Sequence, residues 1–513
     1  MAAGASGAAC RAWCRVKKLR TGFFLLLLTA GALLVHGYHP YAEDAEIYLP
    51  AVEKILNPNL FPVMREFFAS HASLTLFPNL IALSIPVSHL PFEFGLFAWH
   101  VASIFLLLLA CWELGGVCFV SARARWGGVC LVAALLTIPV AGTALYIMDQ
   151  YLNPRNLAAF AAIFAVTRTL ENKYVRALLW LVFAACVHPL MAAFSCSFCV
   201  LLVVMKHGMT YFAARNVRTR ISPRAASAFG CLLLPFGISL DPPSSPAYHE
   251  AALRHGFHYI QRWQWYEQFG ILAPVLLFWW FGRMARDRGS RKLDLLCRAF
   301  IIYDLIYFVM ALAIDLPARF ESLARLQPLR SLHLLYMAMF VVMGGFIAEY
   351  VLQNRVWRWL ALFVPLSAGM FVAQLALFPA SAHVEWPGVT PRNQWAQAFV
   401  WIRQNTPVDA VFALDPEYMQ IPGEDEIGFR CLAQRSRLAD ANKDNGVVSM
   451  FPPLAEKWLE QVKAQTPWKN FTSVDFARLK QKYGVDWVVV QQPGVAGLDC
   501  AYQNAAVKVC RVP

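Results

Sequence analysis

Apolar runs alternate with short polar stretches through the first three quarters of the chain. The first spans about 22–37, and others follow at 72–90, 95–119, 127–147, 156–170, 174–188, 189–206, 225–240, 269–284, 298–316, 331–351 and 357–378. Several are shorter than the roughly 20 residues a helix needs to cross hydrocarbon. Length therefore leaves the topology open, and charge has to decide it. If 72–90 crossed, Arg123, Arg125 and every later basic cluster through Arg283, Arg286, Arg288, Arg291 and Lys292 would face outward, against the positive-inside rule. If that stretch instead lies in or re-enters the outer face, as Pro78, Pro86 and Pro91 allow, the basic loops around 123, 173, 206–224, 283–298 and 355 fall inside with the N-terminus. Those segments hold about 23 Lys and Arg against about eight in the outer loops. Eleven spans follow, with two short helices meeting at His188-Pro189 to keep the parity.

The pattern changes after 378. WAQAFVWIRQN (395–405) reads as a helix stopped at Thr406-Pro407, AVFAL (410–414) and VDWVVVQ (485–491) as buried strands, and helical spacing returns at 453–465 and 473–482. The chain thus divides into a cytoplasmic N-terminus (1–21), a transmembrane domain (22–378) with its first outer loop at 38–94, and a small outer α/β domain (379–513). Composition agrees: 58% of residues are hydrophobic and 15% charged, with a mean hydropathy of +0.46, whereas a soluble chain carries about 25% charged residues. The net charge of +13 follows from loop orientation, so no nucleic-acid partner is expected. Arg11, Arg15, Lys17, Lys18 and Arg20 precede a run with no small-residue cleavage site, the pattern of a retained signal anchor. Most of the 13 cysteines lie in apolar spans. Cys431, Cys500 and Cys510 do not; an oxidising compartment would allow a Cys500–Cys510 disulfide, and a metal site from the three is not expected.

Candidate chemistry concentrates in the first outer loop. HGYHPYAEDAEIYLPAVEKILNPNLFP (36–62) carries Glu43, Asp44, Glu46 and Glu53 close to the end of the first span. Ile47, Ala51, Val52, Ile55 and Leu56 recur at helical spacing, which predicts an amphipathic helix along the interface with Asp44 at or before its N-terminus. One reading has Asp44 capping that helix with the other acids solvated; the other gives the carboxylates a reaction. Arginines on the outer side need a reason, because they oppose the orientation bias. Arg155 ends the tight loop DQYLNPR (149–155), Arg319, Arg325 and Arg330 lie in RFESLARLQPLRSLH with His333, and Arg254, His255, His258 and Arg262 precede WQWY (263–266). A planar guanidinium matches a phosphate, but Arg155 has Asp149 as a local partner and Arg319 has Asp315 or Glu321. Trp263, Trp265 and Tyr266 suit an interfacial belt or a sugar platform. Asp304 is the one acid well inside a span.

Interfacial acids with outer arginines suit one reaction class: a carboxylate takes a proton from an acceptor hydroxyl while cations stabilise a departing lipid phosphate. Asp44 is the expected base, with Glu43 as its alternative or as a ligand for Mg²⁺ or Mn²⁺. The acidic GYHPYAEDAEIYLP after the first span, the outer terminal piece with WIRQNTP, AVFAL and KYGVDWVVV, and DQYLNPR with LQPLRSLH resemble the GT-C superfamily of membrane glycosyltransferases, and an uncharacterised bacterial family related to it. The resemblance implies a polytopic α-helical membrane protein of about eleven transmembrane helices in the bacterial inner membrane, with a C-terminal α/β periplasmic domain. It implies sugar transfer from a polyprenyl-phosphate donor to an unidentified acceptor, with Asp44 and Glu43 catalytic and Arg155, Arg325, Arg330, His333, Arg262 and Trp265 binding substrate. No DxD-type second acidic motif and no WWDYG element is present, so asparagine glycosylation is not implied and a metal requirement stays open. An inactive scaffold with a partner-binding outer domain, or a lipid or solute transporter, remains the alternative. Reporter fusions decide the topology: a fusion near Arg125 is expected inside and one after Pro379 outside, and a cytoplasmic C-terminus would overturn the site assignment.

Overall fold

The computed structural model describes residues 2–214, 245–315 and 318–513. The protein is a polytopic helical membrane protein with a small C-terminal α/β domain. Among the described residues, seven helices are long and apolar enough to cross a bilayer: Leu19–His36, Phe92–Cys118, Pro189–Gly208, Trp265–Asp287, Arg291–Asp315, Leu323–Leu352 and Val356–Leu377. Three more of the expected spans are shorter helices, Ala122–Ala134, Pro154–Leu170 and Tyr174–Val187, and the run at 225–240 lies outside the described residues. Eleven spans therefore do not mean eleven long helices. The expected span at 127–147 is corrected most: the helix stops at Ala134 and irregular chain follows, pinned by a bridge between Pro139 and Tyr146. Pro139 removes a backbone donor and Thr137, Gly142 and Thr143 favour turns, which outweighs the apolar character of the run. The run at 72–90 belongs to two helices, Glu66–Ala72 and Phe77–Ser88, bent by 89° at their junction, where the Leu76 amide donates to the Cys186 carbonyl at 2.7 Å.

Two helices form the centre. Pro154–Leu170 and Leu332–Ile347 bury nearly every side chain, as expected of helices apolar on all faces. Val356–Leu377 buries only Gln374 and turns Leu360, Val364 and Val372 outward, toward lipid. Helices Ala122–Ala134 and Leu332–Ile347 touch backbone to backbone: a Cβ on Gly128 would lie 2.5 Å from the Val341 carbonyl oxygen, and one on Gly344 2.4 Å from that of Gly127. Only glycine permits that approach.

The C-terminal domain holds a five-stranded sheet of β1 (Val411–Leu414), β2 (Ser436–Arg437), β3 (Trp487–Gln491), β4 (Asp499–Gln503) and β5 (Val507–Arg511), in the order β2-β1-β3-β5-β4. The first three are parallel and the last two pair antiparallel. Helices Gln394–Asn405, Ala455–Ala464 and Ser473–Tyr483 and strands β1 and β3 fall where the sequence pattern placed them. Strands β2, β4 and β5 were not expected, and a Cys500–Cys510 disulfide joins paired residues of β4 and β5.

This domain closes over the loop that follows the first span. The helix Ala45–Leu56, expected to lie along the interface, is instead buried from Ala45 to Glu53. Its acids are covered because the domain supplies partners. Glu46 accepts from the Arg430 amide at 2.7 Å and from Arg437 Nε and Nη2 at 3.0 and 2.9 Å. Arg430 also donates twice to Asp444 at 2.8 Å, and Arg437 pairs with Asp440. Gln434 donates to Glu53 at 3.0 Å. Glu46 and the four charged groups around it, Arg430, Arg437, Asp440 and Asp444, are all buried, so losing one strands the others. Glu46→Ala is expected to cost about 3–5 kcal/mol, read as a lower thermal midpoint of the purified protein and faster proteolysis within 379–513. An unchanged midpoint would show that these ions do not hold the domain in place.

Candidate functional site

Asp44 occupies the N-cap position of Ala45–Leu56 but makes no capping bond. Its carboxylate is held instead by two cations from distant parts of the chain. Arg155 Nη1 lies 3.1 Å from Oδ2, and Lys443 Nζ lies 3.5 Å from Oδ1. An ion pair with a buried guanidinium outweighs a bond to a backbone N–H, and the capping reading fails for that reason.

The DQYLNPR turn aims Arg155. Asn153 caps the helix Pro154–Leu170 by accepting from the Asn156 amide at 3.2 Å, Pro154 starts it, and Asn156 Nδ2 donates to the Tyr151 carbonyl at 2.8 Å. Asp149 accepts from Arg155 Nη2 at 3.2 Å and from Asn153. Arg155 thus bonds its expected local partner Asp149 and also Asp44, a partner the sequence did not point to. The Asp44 amide donates to the Tyr151 hydroxyl at 3.4 Å.

Glu43 has a φ of 49°, the left-handed region that a glutamate rarely adopts. Its amide donates to the Glu426 carbonyl at 2.8 Å, and Ala42 bridges to Ile427. Strain is therefore held in place by the C-terminal domain. Lys443 opens the helix Lys443–Met450 and reaches Glu426 at 3.2 Å and Glu43 at 3.9 Å as well as Asp44. Asp440 fixes that helix start by accepting from the amides of Asn442, Lys443 and Asp444 at 2.7, 2.6 and 3.1 Å.

The two acids are driven apart in proton affinity. Burial pushes Asp44 up, but Lys443, Arg155 and Arg330 together hold it well below the ordinary carboxylate range. Burial pushes Glu43 up to about 7, against the pull of Lys443 and with help from Glu426 and Asp44. Asp44 is a fixed anion, and Glu43 is the acid that changes charge near neutral pH.

Arg330 sits in the 3₁₀ turn Pro328–Ser331 that leads into the central helix Leu332–Ile347. Among the described residues its guanidinium makes no hydrogen bond, and its Nε is buried without a partner. It lies over the Phe257 ring at 5.5 Å and acts electrostatically on Asp44 and Arg155. The buried Nε2 of His258 and Nδ1 of His71, close enough to feel the Arg330 charge, also have no partner. Asp44, Arg155, Arg330 and Lys443 stand at or near the N-termini of four helices, whose dipoles add to the positive field. The chemistry available is an anion site of three cations beside a carboxylate poised to take a proton.

The remaining expected residues separate. His333 is buried with Nε2 on the Ile147 carbonyl at 3.0 Å, and with Arg330 it lines a small cavity walled by Ala158, Ala162 and Met191. Arg325 acts on Tyr248. Arg262 donates to the Leu253 carbonyl and lies over the Tyr259 ring, and Trp265 is 79% exposed; no bond joins either to Asp44. Arg254 pairs with Glu417 at 2.7 Å, the Arg319 side chain lies outside what the structure describes, and Asp304 is buried with no hydrogen bond among the described residues. Lys443 and Glu426 were missed, because no apolar periodicity in ADANKDNG or GEDEIGF marks them.

A divalent ion beside Glu43 and Asp44 does not fit the arrangement. Lys443 Nζ fills that position, 3.9, 3.5 and 3.2 Å from the Glu43, Asp44 and Glu426 carboxylates. The split acids yield a test. Because Glu43 is raised from 4.5 to about 7, the folded state binds more protons than the unfolded between those values, and stability falls as pH rises through that window. Glu43→Gln, which stays neutral, is expected to melt above wild type at pH 8 and level with it below about pH 4.5. An equal gap at both pH values would show that Glu43 does not titrate there.

No family model matches the chain, and no curated protein matches it. Among solved structures, it is similar to the archaeal oligosaccharyltransferase AglB from Archaeoglobus fulgidus in complex with an inhibitory peptide and a dolichol-phosphate, at 11% identity and a TM-score of 0.46, over 92% of this chain and 70% of that one. The apo form of the Archaeoglobus fulgidus oligosaccharyltransferase aligns at 11% identity and a TM-score of 0.42, over 92% and 69%.

Proposed function

We propose that the protein is a membrane glycosyltransferase of GT-C type that moves a sugar from a polyprenyl-phosphate carrier to an acceptor at the outer face of the bacterial inner membrane, with inversion. The observation that carries this reading is the uncommitted guanidinium of Arg330 beside the Arg155–Asp44–Lys443 chain. Arg330 is half-buried, with its Nε buried and unpartnered, and a cation in that setting gains from an anion that completes its hydrogen bonds. A lipid phosphate at the membrane rim supplies that anion, and the planar fork of donors on Arg330 suits its oxygens.

Glu43 is assigned as the base in place of Asp44. A general base works best when its proton affinity lies near the working pH; Glu43 has that property and doubly paired Asp44 does not. In the transfer, the acceptor hydroxyl oxygen bonds to the anomeric carbon, its proton passes to Glu43, and the bond from that carbon to the phosphate oxygen breaks. The polyprenyl phosphate leaves with its charge met by Arg330 and Arg155. Asp44 holds Arg155 and Lys443 in place through the step. An inactive scaffold would give no reason for a left-handed glutamate and an unpaired guanidinium at one spot, and strain of this kind gathers where function maintains it. The Cys500–Cys510 disulfide supports an oxidising, outer location for the domain.

The test uses the purified protein in lipid nanodiscs with a radiolabelled polyprenyl-phosphate sugar and native membranes as the acceptor source. Glu43→Gln and Arg330→Ala are expected to lower label transfer by about 10²-fold or more at unchanged protein levels. Arg330→Ala should also weaken binding of unlabelled polyprenyl phosphate, whereas Glu43→Gln should not. Transfer at the wild-type rate in both variants would overturn the assignment.

A further inference from the structure

Three carboxylates from two parts of the chain converge on one ammonium. Glu43 and Asp44 belong to the first outer loop and Glu426 to the C-terminal domain, and Lys443 Nζ lies 3.9, 3.5 and 3.2 Å from them. The Lys443 side chain is only 12% exposed, and its backbone is fixed by the three amide bonds to Asp440, itself paired to Arg437 on Glu46. Asp44 and Glu46 are two residues apart, so the outer domain grips the same turn of the first loop at both. A lysine held this tightly among acids is a structural cation.

We propose that Lys443 is the site's built-in cation: its ammonium takes the place that a divalent ion would hold between the first-loop acids and the outer domain, so the reaction centre is complete without metal. The inference rests on the reading that Glu43 and Asp44 belong to that centre. A hard divalent ion demands oxygens at about 2.0–2.6 Å, closer than any of these carboxylates stands to Nζ. The acids are spaced for an ammonium and its hydrogens. The two glutamates are partly exposed, at 25% and 40%, so they are free to draw inward if the ammonium is removed. Lys443 also separates the site from one that fills from solution, because its charge arrives only when the outer domain is seated on the loop.

The experiment measures Mn²⁺ binding to the purified, chelator-treated full-length protein by loss of the free-ion paramagnetic signal, so no turnover is needed. Wild type is expected to leave the signal unchanged up to millimolar Mn²⁺. Lys443→Ala is expected to bind one Mn²⁺ per chain, and the double variant Lys443→Ala with Asp44→Asn to lose it. Saturable binding of one Mn²⁺ by wild type, removed by Asp44→Asn, would overturn the proposal, and so would a folded Lys443→Ala protein that binds none. The wild-type arm decides even if the alanine variant does not fold. Failure here leaves the transfer reading standing, because label transfer by wild type is scored separately with and without chelator.

Discussion

Asp44 is a carboxylate that the fold cannot leave alone. It is set among buried groups, where an unpaired charge is costly, and it is stabilised by cations from two other regions: Arg155 from the membrane domain and Lys443 from the C-terminal domain. Neither cation is its sequence neighbour, so the ion pairs form only when the loop after the first span, the DQYLNPR turn and the C-terminal domain have all reached their final places. The same three-way meeting explains why Arg155 keeps its local bond to Asp149 while bridging to Asp44. One anion is used to register two domains.

The second acid of the pair follows from the first. Burial opposes ionising Glu43, and Glu426 and the fixed anion Asp44 add to the opposition against the pull of Lys443. Two adjacent acids thereby take different states, one permanently charged and one able to exchange a proton near neutral pH, which is the separation that acid and base chemistry needs. The left-handed backbone at Glu43 turns its side chain away from the direction an ordinary helix start would give, and the Glu426 carbonyl and the Ala42–Ile427 bridge keep it there.

The membrane architecture and the acidic loop were legible because each has a local signature. Apolar runs, basic loops and the position of Glu43 and Asp44 just after the first span need no knowledge of distant contacts, and DQYLNPR announces its turn through Asn153, Pro154 and the spacing of Asp149 to Arg155. What could not be read depends on contacts some 400 residues apart in sequence, such as Lys443 with Asp44 and Arg430 with Glu46. The helix Ala45–Leu56 shows the limit well. Its pattern is amphipathic, and an amphipathic helix beside a bilayer reads as interfacial; it is buried because its acids Glu46 and Glu53 are matched by Arg430, Arg437 and Gln434, which no local pattern reveals. The run at 127–147 failed for the opposite reason, since apolar content was weighed above the turn chemistry of Pro139 and Gly142.

The glycine contact between Ala122–Ala134 and Leu332–Ile347 carries influence over a distance. Gly344 lies fourteen positions along from Arg330, about 20 Å at helical rise, and the rigid rod between them is buried on nearly all sides. A methyl group at Gly344 meets the Gly127 carbonyl oxygen at 2.4 Å, so the rod must tilt or slide, and its far end carries the guanidinium with it. A substitution far from Asp44 and Arg155 would then move Arg330 relative to both, and its origin would be traced through the geometry of a lever.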